Sequence, residues 1–351
     1  MNPDLHLTVQ DPTTLSLHQR LEVARLEAEC FASAYPTDPP LQPDVLAEEM
    51  SLTSEDEECR LVLAHQDGQL IGRARLDYAL TQNRDQTSLG VMVRPANRRR
   101  GVGRALAVRA GELALTLGRT SYIAATASRA PAGEAFAAWL GAHPALPMII
   151  SELRLDGLDQ GLLSRWVTRP HPDSYALHRY AHIPEHELAR VATVMQVMNT
   201  APRGDLAYDD WEITPAMVRR WQEMLVASGE RRLLYAVEHL ESRTLVGYTE
   251  VFWHPARASL VYQGATGVDP AHRQRGLGQW LKAALLLDLP AANPEGVRVR
   301  TGNAESNAAM LGINRALGFQ PVFRRMEWQG ETAKLTAPGH PAPELQDSLA
   351  R

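Results

Sequence analysis

Val93-Arg94-Pro95-Ala96-Asn97-Arg98-Arg99-Arg100-Gly101-Val102-Gly103 recurs as Val268-Asp269-Pro270-Ala271-His272-Arg273-Gln274-Arg275-Gly276-Leu277-Gly278. The offset is about 175 residues, half the chain, which is the mark of an internal duplication. Each copy reads as a strand end, a proline turn, a basic glycine loop and a helix start. Glycines let the main chain turn tightly, so that successive N–H groups face one anion near the positive end of the helix. Arg98 and Arg273 are expected to add charge-assisted hydrogen bonds to that anion. The pattern Arg-x-x-Gly-x-Gly has no Gly-Lys-Ser or Gly-Lys-Thr, so it is not a Walker loop. Leu106 and Leu281 stand where a dinucleotide fingerprint needs its third glycine. A loop shaped for pyrophosphate remains, present twice.

Outward from the loops, the two halves repeat one plan. Before the first loop the patterning predicts a strand over 5–10, helices over 17–31 and 44–50, strands over 59–65 and 69–78, and a strand over 88–93. After it come a helix over 104–117, a strand over 121–126, a helix over 132–140 and a strand over 147–155. The second half predicts a strand over 175–182, helices over 185–198 and 214–228, and strands over 233–239, 244–253 and 259–268. A helix over 279–288, a strand over 296–301, a helix over 306–317 and a strand over 321–328 follow its loop. Gly72 and Gly247 keep the same offset as the loops, so the hairpins align as well. The expected fold class is α/β, with a mixed sheet in each of two tandem domains. The domains are expected at 1–168 and 169–335, with a disordered tail rich in proline and alanine over 336–351.

At 351 residues the chain is long enough for two cores. A hydrophobic share of 44% and a charged share of 22% are those of an ordinary globular protein. The net charge of -5 argues against nucleic acid or an acidic membrane as the partner. Cys30 and Cys59 stand alone, with no Cys/His cluster at metal spacing, so no metal is expected. No secretion signal and no apolar run of about 18 residues is seen, so the cytoplasm is expected.

These residues resemble the GCN5-related N-acetyltransferase (GNAT) superfamily, in tandem. The family's loop signature appears here as Arg98 to Gly103 and as Arg273 to Gly278. The resemblance implies acetyl-CoA as cosubstrate, its pyrophosphate held by backbone amides over 98–104 and 273–279. Cofactor contacts are therefore expected at Val93, Arg98, Arg100, Gly101, Val102 and Gly103 in the first half. In the second half they are expected at Thr266, Val268, Arg273, Gln274, Arg275, Gly276, Leu277 and Gly278. The second half adds Asn303 and Asn307, which match asparagines that contact the cofactor in relatives, and closes its last helix with Leu317-Gly318-Phe319. The residues themselves leave turn formation and capping as the other reading of both asparagines. The first half has no asparagine over 126–131, so catalysis is expected in the second half.

The implied activity is acetyl transfer to the primary amine of a small molecule, with the chain a monomer or homodimer. Such a transfer needs a base for the amine, a donor to the thioester oxygen and an acid for the thiolate. A backbone N–H near Val268 is the expected oxyanion donor. Relatives carry a glutamate at the position of Tyr262 and a tyrosine at the position of Asn314, so both usual acid–base residues are missing. Glu250, mid-strand among apolar neighbours that raise its pKa, is the expected catalytic carboxylate, with Tyr262 beside it. Their bland alternatives are an exposed strand face and an aromatic core position. The missing pair also supports a second reading, a non-catalytic acyl-CoA-binding or regulatory protein.

Overall fold

The duplicated loop joins a strand to a helix in both halves of the computed structural model, which describes residues 5–169 and 174–336. The first half runs β1 (His6–Gln10), α1 (Leu17–Ala34), α2 (Pro43–Glu49), β2 (Glu57–Gln66), β3 (Gln69–Ala79) and β4 (Gln86–Val93). The first loop leads to α3 (Val102–Thr116), β5 (Ser121–Ala127), α4 (Ala132–Trp139), β6 (His143–Arg154) and α5 (Gln160–Val167). The second half runs β7 (Tyr175–Tyr180), α6 (Leu188–Met195), α7 (Pro215–Ala227), β8 (Arg231–His239), β9 (Thr244–Trp253) and β10 (Leu260–Val268). Its loop leads to α8 (Leu277–Ala292), β11 (Arg298–Ala304), α9 (Ala308–Leu317), β12 (Gln320–Glu331) and α10 (Thr332–Thr336).

Local chemistry accounts for the boundaries. Ser16 and Gln19 close a capping box at the start of α1. Thr214 caps α7, whose first residue is Pro215. α3 and α8 start two residues before the expected positions because Val102 and Leu277 bury their side chains. α8 also runs past the expected stop at Asp288, carrying Pro290 in its last turn. α5 has no counterpart among the expected elements; Asp159 starts it by accepting the N–H of Leu162 at 2.9 Å. Thr336, placed in the expected tail, ends α10; the remaining tail residues lie outside the described ones, as do residues 170–173 at the start of the expected second domain.

All twelve strands form one sheet in the order β1-β2-β3-β4-β5-β12-β6-β11-β10-β9-β8-β7. The halves therefore exchange their last strands. β12 of the second half pairs with β5, and β6 of the first half pairs with β11. The exchange includes the following helices: α5 packs on α8 and α10 on α3. The fit of α10 is close, since a Cβ on Gly111 of α3 would lie 2.6 Å from the Cβ of Leu335. α1 and α2 cover one face of the first half and α6 and α7 the same face of the second. α3 and α4, and α5, α8 and α9, cover the other face. Among the described residues no helix is long and apolar enough to cross a membrane.

The halves also reach across each other. Asp38, after α1, bonds Arg298 and Arg300 of β11. In return, Asp209 and Glu212 donate their backbone N–H groups to Asn83 and Gln82.

Candidate active site

The two loops share one backbone course. Arg99 and Gly101 have φ of 62° and 84°, and Gln274 and Gly276 have 61° and 72°. Alternating right- and left-handed residues turn consecutive N–H groups to one side, which makes an anion-binding concavity. The N–H groups of residues 99–104 and 274–279 have no acceptor among the described residues, whereas Ala105 and Trp280 already donate to Gly101 and Gly276. A Cβ on Gly101 would meet nothing within 4 Å, so the space before that loop is open. The loops thus fit a pyrophosphate through their backbone. Arg98 and Arg273 also serve the loop itself. Their Nε groups donate to the carbonyls of Val93 and Val268 at 3.0 and 2.9 Å, and Arg273 also reaches Thr200 at 2.6 Å. Through these bonds they fasten the loop to the strand end. Arg100 and Arg275 stay exposed. Arg169, which sequence reasoning missed, donates to the carbonyl of Arg275 at 3.2 Å and stacks on Trp280, bringing a cation to the second loop.

Each loop-bearing strand parts from its parallel neighbour. β4 pairs β5 only from Gln86 to Ser88, and β10 pairs β11 only from Leu260 to Tyr262. Beyond these points β4 continues to Val93 and β10 to Val268, leaving an opening in the sheet that leads to the loop. Here the halves diverge. Gly72–Asp77 opposes Ser88–Val93 without a break. Gly247–Phe252 opposes Tyr262–Val268 with a shift between Gln263 and Thr266, so β10 carries one extra residue. A bulge of this kind leaves backbone groups unpaired. Side chains pin it in place. Gln263 donates to Thr249 Oγ1 at 3.1 Å and to the carbonyl of Glu250 at 2.6 Å, and Thr249 and Thr266 share a bond of 2.8 Å.

Glu250 lies beside this bulge. A Cβ on Gly264 would come within 3.1 Å of Glu250 Cγ and 2.7 Å of the Phe252 ring, so glycine makes room for both. Phe252, Tyr262, Arg300 and Glu152 form one cross-strand row at the vertex of the opening. Paired residues share a face, so Tyr262 and Glu250 lie on the side covered by α6 and α7. Glu250 is 8% exposed, and no described donor bonds its carboxylate. Burial pushes its pKa up to about 7, against the pull of Arg232. The two expected catalytic residues are thus brought together on one face.

The asparagines are committed inside the chain. Asn303 Oδ1 accepts from Asn314 at 2.7 Å, and Asn307 Oδ1 caps α9 by accepting the N–H of Met310 at 3.2 Å. His254 accepts the N–H of Ala256, and His272 bonds Tyr175, both structural uses. Among the described residues no group of three or more His, Cys, Asp or Glu could hold a metal.

The first half has other side chains at the positions of Glu250 and Arg232. Arg75 takes the ladder position of Glu250, and Cys59 that of Arg232. Buried Arg73 bonds Glu27 at 2.7 Å and the carbonyl of Gly90 at 3.0 Å, close over the strand that in the second half bulges.

Two sheet halves, each with an anion-holding loop between a splayed strand and a helix, define the acyl-CoA N-acyltransferase class. Residues 20–142 match the acetyltransferase (GNAT) family model, and the whole chain resembles tandem GNAT proteins in fold. It is similar to a tandem GNAT protein from the clavulanic acid biosynthesis pathway, at 26% identity and a TM-score of 0.76 over 93% of this chain and 98% of that one. A GCN5-related N-acetyltransferase from Sphaerobacter thermophilus shares the fold, at 17% identity and a TM-score of 0.61 over 93% and 96% of the two chains. No curated protein matches the sequence. The family match lies in the half that lacks the bulge. Family and fold support acyl-CoA-dependent N-acyltransferase activity.

Proposed function

We propose that the second half transfers an acetyl group from acetyl-CoA to the primary amine of a small molecule by direct attack on the thioester. The observation that carries this reading is Glu250, a buried carboxylate with no hydrogen-bond donor, set against the bulge at the vertex of the opening. With a pKa of about 7 it is half ionised near neutrality, which suits a general base. The amine nitrogen forms a bond to the thioester carbon, the carbon–sulfur bond breaks, and Glu250 takes the amine proton. The thioester oxygen gains charge on the way, and the unpaired N–H groups of the bulge are better placed to meet it than Val268, which ends the strand in register with Gly247. Tyr262, on the same face, is the candidate proton donor to the thiolate, directly or through water. The residues of the second loop, 274–279, hold the pyrophosphate through their backbone, Val268 and Thr266 lie along the route from loop to bulge, and Asn303 and Asn307 keep their amide N–H groups for the cofactor.

A specific observation favours a binding role for the first half: its loop is intact, while Arg75 stands where the base would be. The test of the main reading is Glu250→Gln, assayed by thiol release from acetyl-CoA with a panel of amines. Turnover at pH 7 should fall about 100-fold or more, while acetyl-CoA affinity stays as it was. A variant as active as the parent removes Glu250 as the base.

A further inference from the structure

Arg232 and Glu250 are diagonal neighbours on adjacent strands. The register sets Arg232 opposite Phe252 and Leu234 opposite Glu250, so both charged side chains lie on the face covered by α6 and α7. Both are buried, at 7% and 8% exposure, and among the described residues they share no direct hydrogen bond. A buried guanidinium is costly unless something holds and solvates it. Gln222 of α7 does the holding. Its Oε1 accepts Arg232 Nη2 at 3.1 Å and the N–H of Ile183 at 2.6 Å. Its amide donates to the carbonyl of Ile183 at 3.2 Å and meets His182 Nε2 at 3.0 Å. On the other side the chain leaves a pocket. Arg232 lines a pocket of about 340 Å³, with Arg179, His182, Gln222, Glu230 and Arg231 on its walls. This pocket lies where β8 runs past the end of β7.

The groups facing Glu250 are few. From β9 comes the Tyr248 phenol, which burial keeps protonated. From β10 come Gly264 and, on the same face, the Tyr262 phenol; Gln222 of α7, with His182 behind it, reaches Arg232. Arg232, from β8, is the charged group acting on the carboxylate. In the first half Arg75 and Cys59 stand at these two positions, so neither member of the pair is kept there.

We infer that Arg232 is a positioning residue for Glu250, holding the carboxylate in its proton-accepting form without forming a bond that would block the incoming amine. This rests on the reading of Glu250 as the base. The test pairs two measurements on the full chain. One is an infrared titration of the buried carboxyl band in the parent, Glu250→Gln and Arg232→Met. The other is the pH dependence of kcat/KM with acetyl-CoA and the amine that works best in the panel. The parent should show a band titrating near pH 7 that Glu250→Gln lacks. In Arg232→Met the midpoint should rise by about one pH unit or more. The acid limb of kcat/KM should move with it, giving a roughly fivefold loss at pH 7 that largely recovers at pH 9. Arg232→Lys, which keeps the charge, should return the midpoint most of the way. If Arg232→Met does not fold, Arg232→Gln serves as the neutral variant. An unmoved midpoint in a folded neutral variant overturns the inference. A midpoint that moves while Glu250→Gln still turns over amines at the parent rate leaves the coupling standing and removes Glu250 as the base.

Discussion

Asp38, in the loop after α1 of the first half, closes a two-pronged ion pair on Arg300 of the second half, with oxygens 2.6 and 2.7 Å from the guanidinium nitrogens. Arg300 is paired in register with Tyr262, so this contact between halves supports the vertex of the opening directly. Burial alone would raise the Asp38 carboxyl. Its bonds to Arg300, with the charges of Arg300, Arg298 and Arg129, hold it below the usual range. Asp38→Asn leaves Arg300 with Glu152 alone and should cost about 3 kcal/mol of stability at pH 7, measured by urea unfolding. A lowered carboxyl stabilises above its unfolded pKa and loses that contribution as pH falls through the folded value. The gap between parent and variant should therefore close in acid.

Gly264→Val tests the bulge. The new side chain would enter the space held by Phe252 and Glu250. A displacement of about 1 Å at a reacting centre costs on the order of 100-fold in rate. The expected outcome is that loss in kcat/KM, with acetyl-CoA affinity changed less than about threefold, measured by calorimetry.

The loops are tested by Gly276→Glu and Gly101→Glu. Both glycines have left-handed φ, so any side chain adds strain, and a carboxylate repels an anion. Calorimetry of the parent should give two acetyl-CoA sites, and each variant should keep one. Only the Gly276→Glu variant should lose turnover. A parent with a single site, lost in Gly276→Glu, would make the first loop a structural remnant.

Lys282, one of two lysines in the chain, is 1% exposed in α8 and lies over the Phe319 ring at 5.3 Å. Burial lowers its pKa to about 7. A lowered amine favours folding of the neutral form, so stability is present above the unfolded pKa and lost as pH falls toward 7. Lys282→Met removes this penalty. It should be more stable than the parent at pH 7, by several kcal/mol at most. The advantage should fade toward pH 10, as thermal unfolding at several pH values would show.

Much of this was legible in the sequence because the loop repeats. Two copies of Arg-x-x-Gly-x-Gly at one offset fixed the strand–loop–helix order, and hydrophobic alternation supplied the neighbouring strands. Glu250 was reachable from its apolar neighbours. Arg232 was not, because its relation to Glu250 is a matter of cross-strand register, which the bulges in β8–β9 and β9–β10 shift. Nor does the sequence reveal that Arg98 and Arg273 turn back to their own strand ends, since a guanidinium near a glycine loop reads the same in either orientation. The exchange of β6 and β12 was hidden for another reason. Both strands have the pattern their own half would need, so nothing local says which sheet they join.

That exchange also constrains how the chain is made. A ribosome releases the first half long before residues 320–331 exist. Until then β5 presents an open edge, and β6 waits for β11. A nascent first half is therefore an unfinished sheet with two adhesive borders, and a product stopped early would carry them permanently.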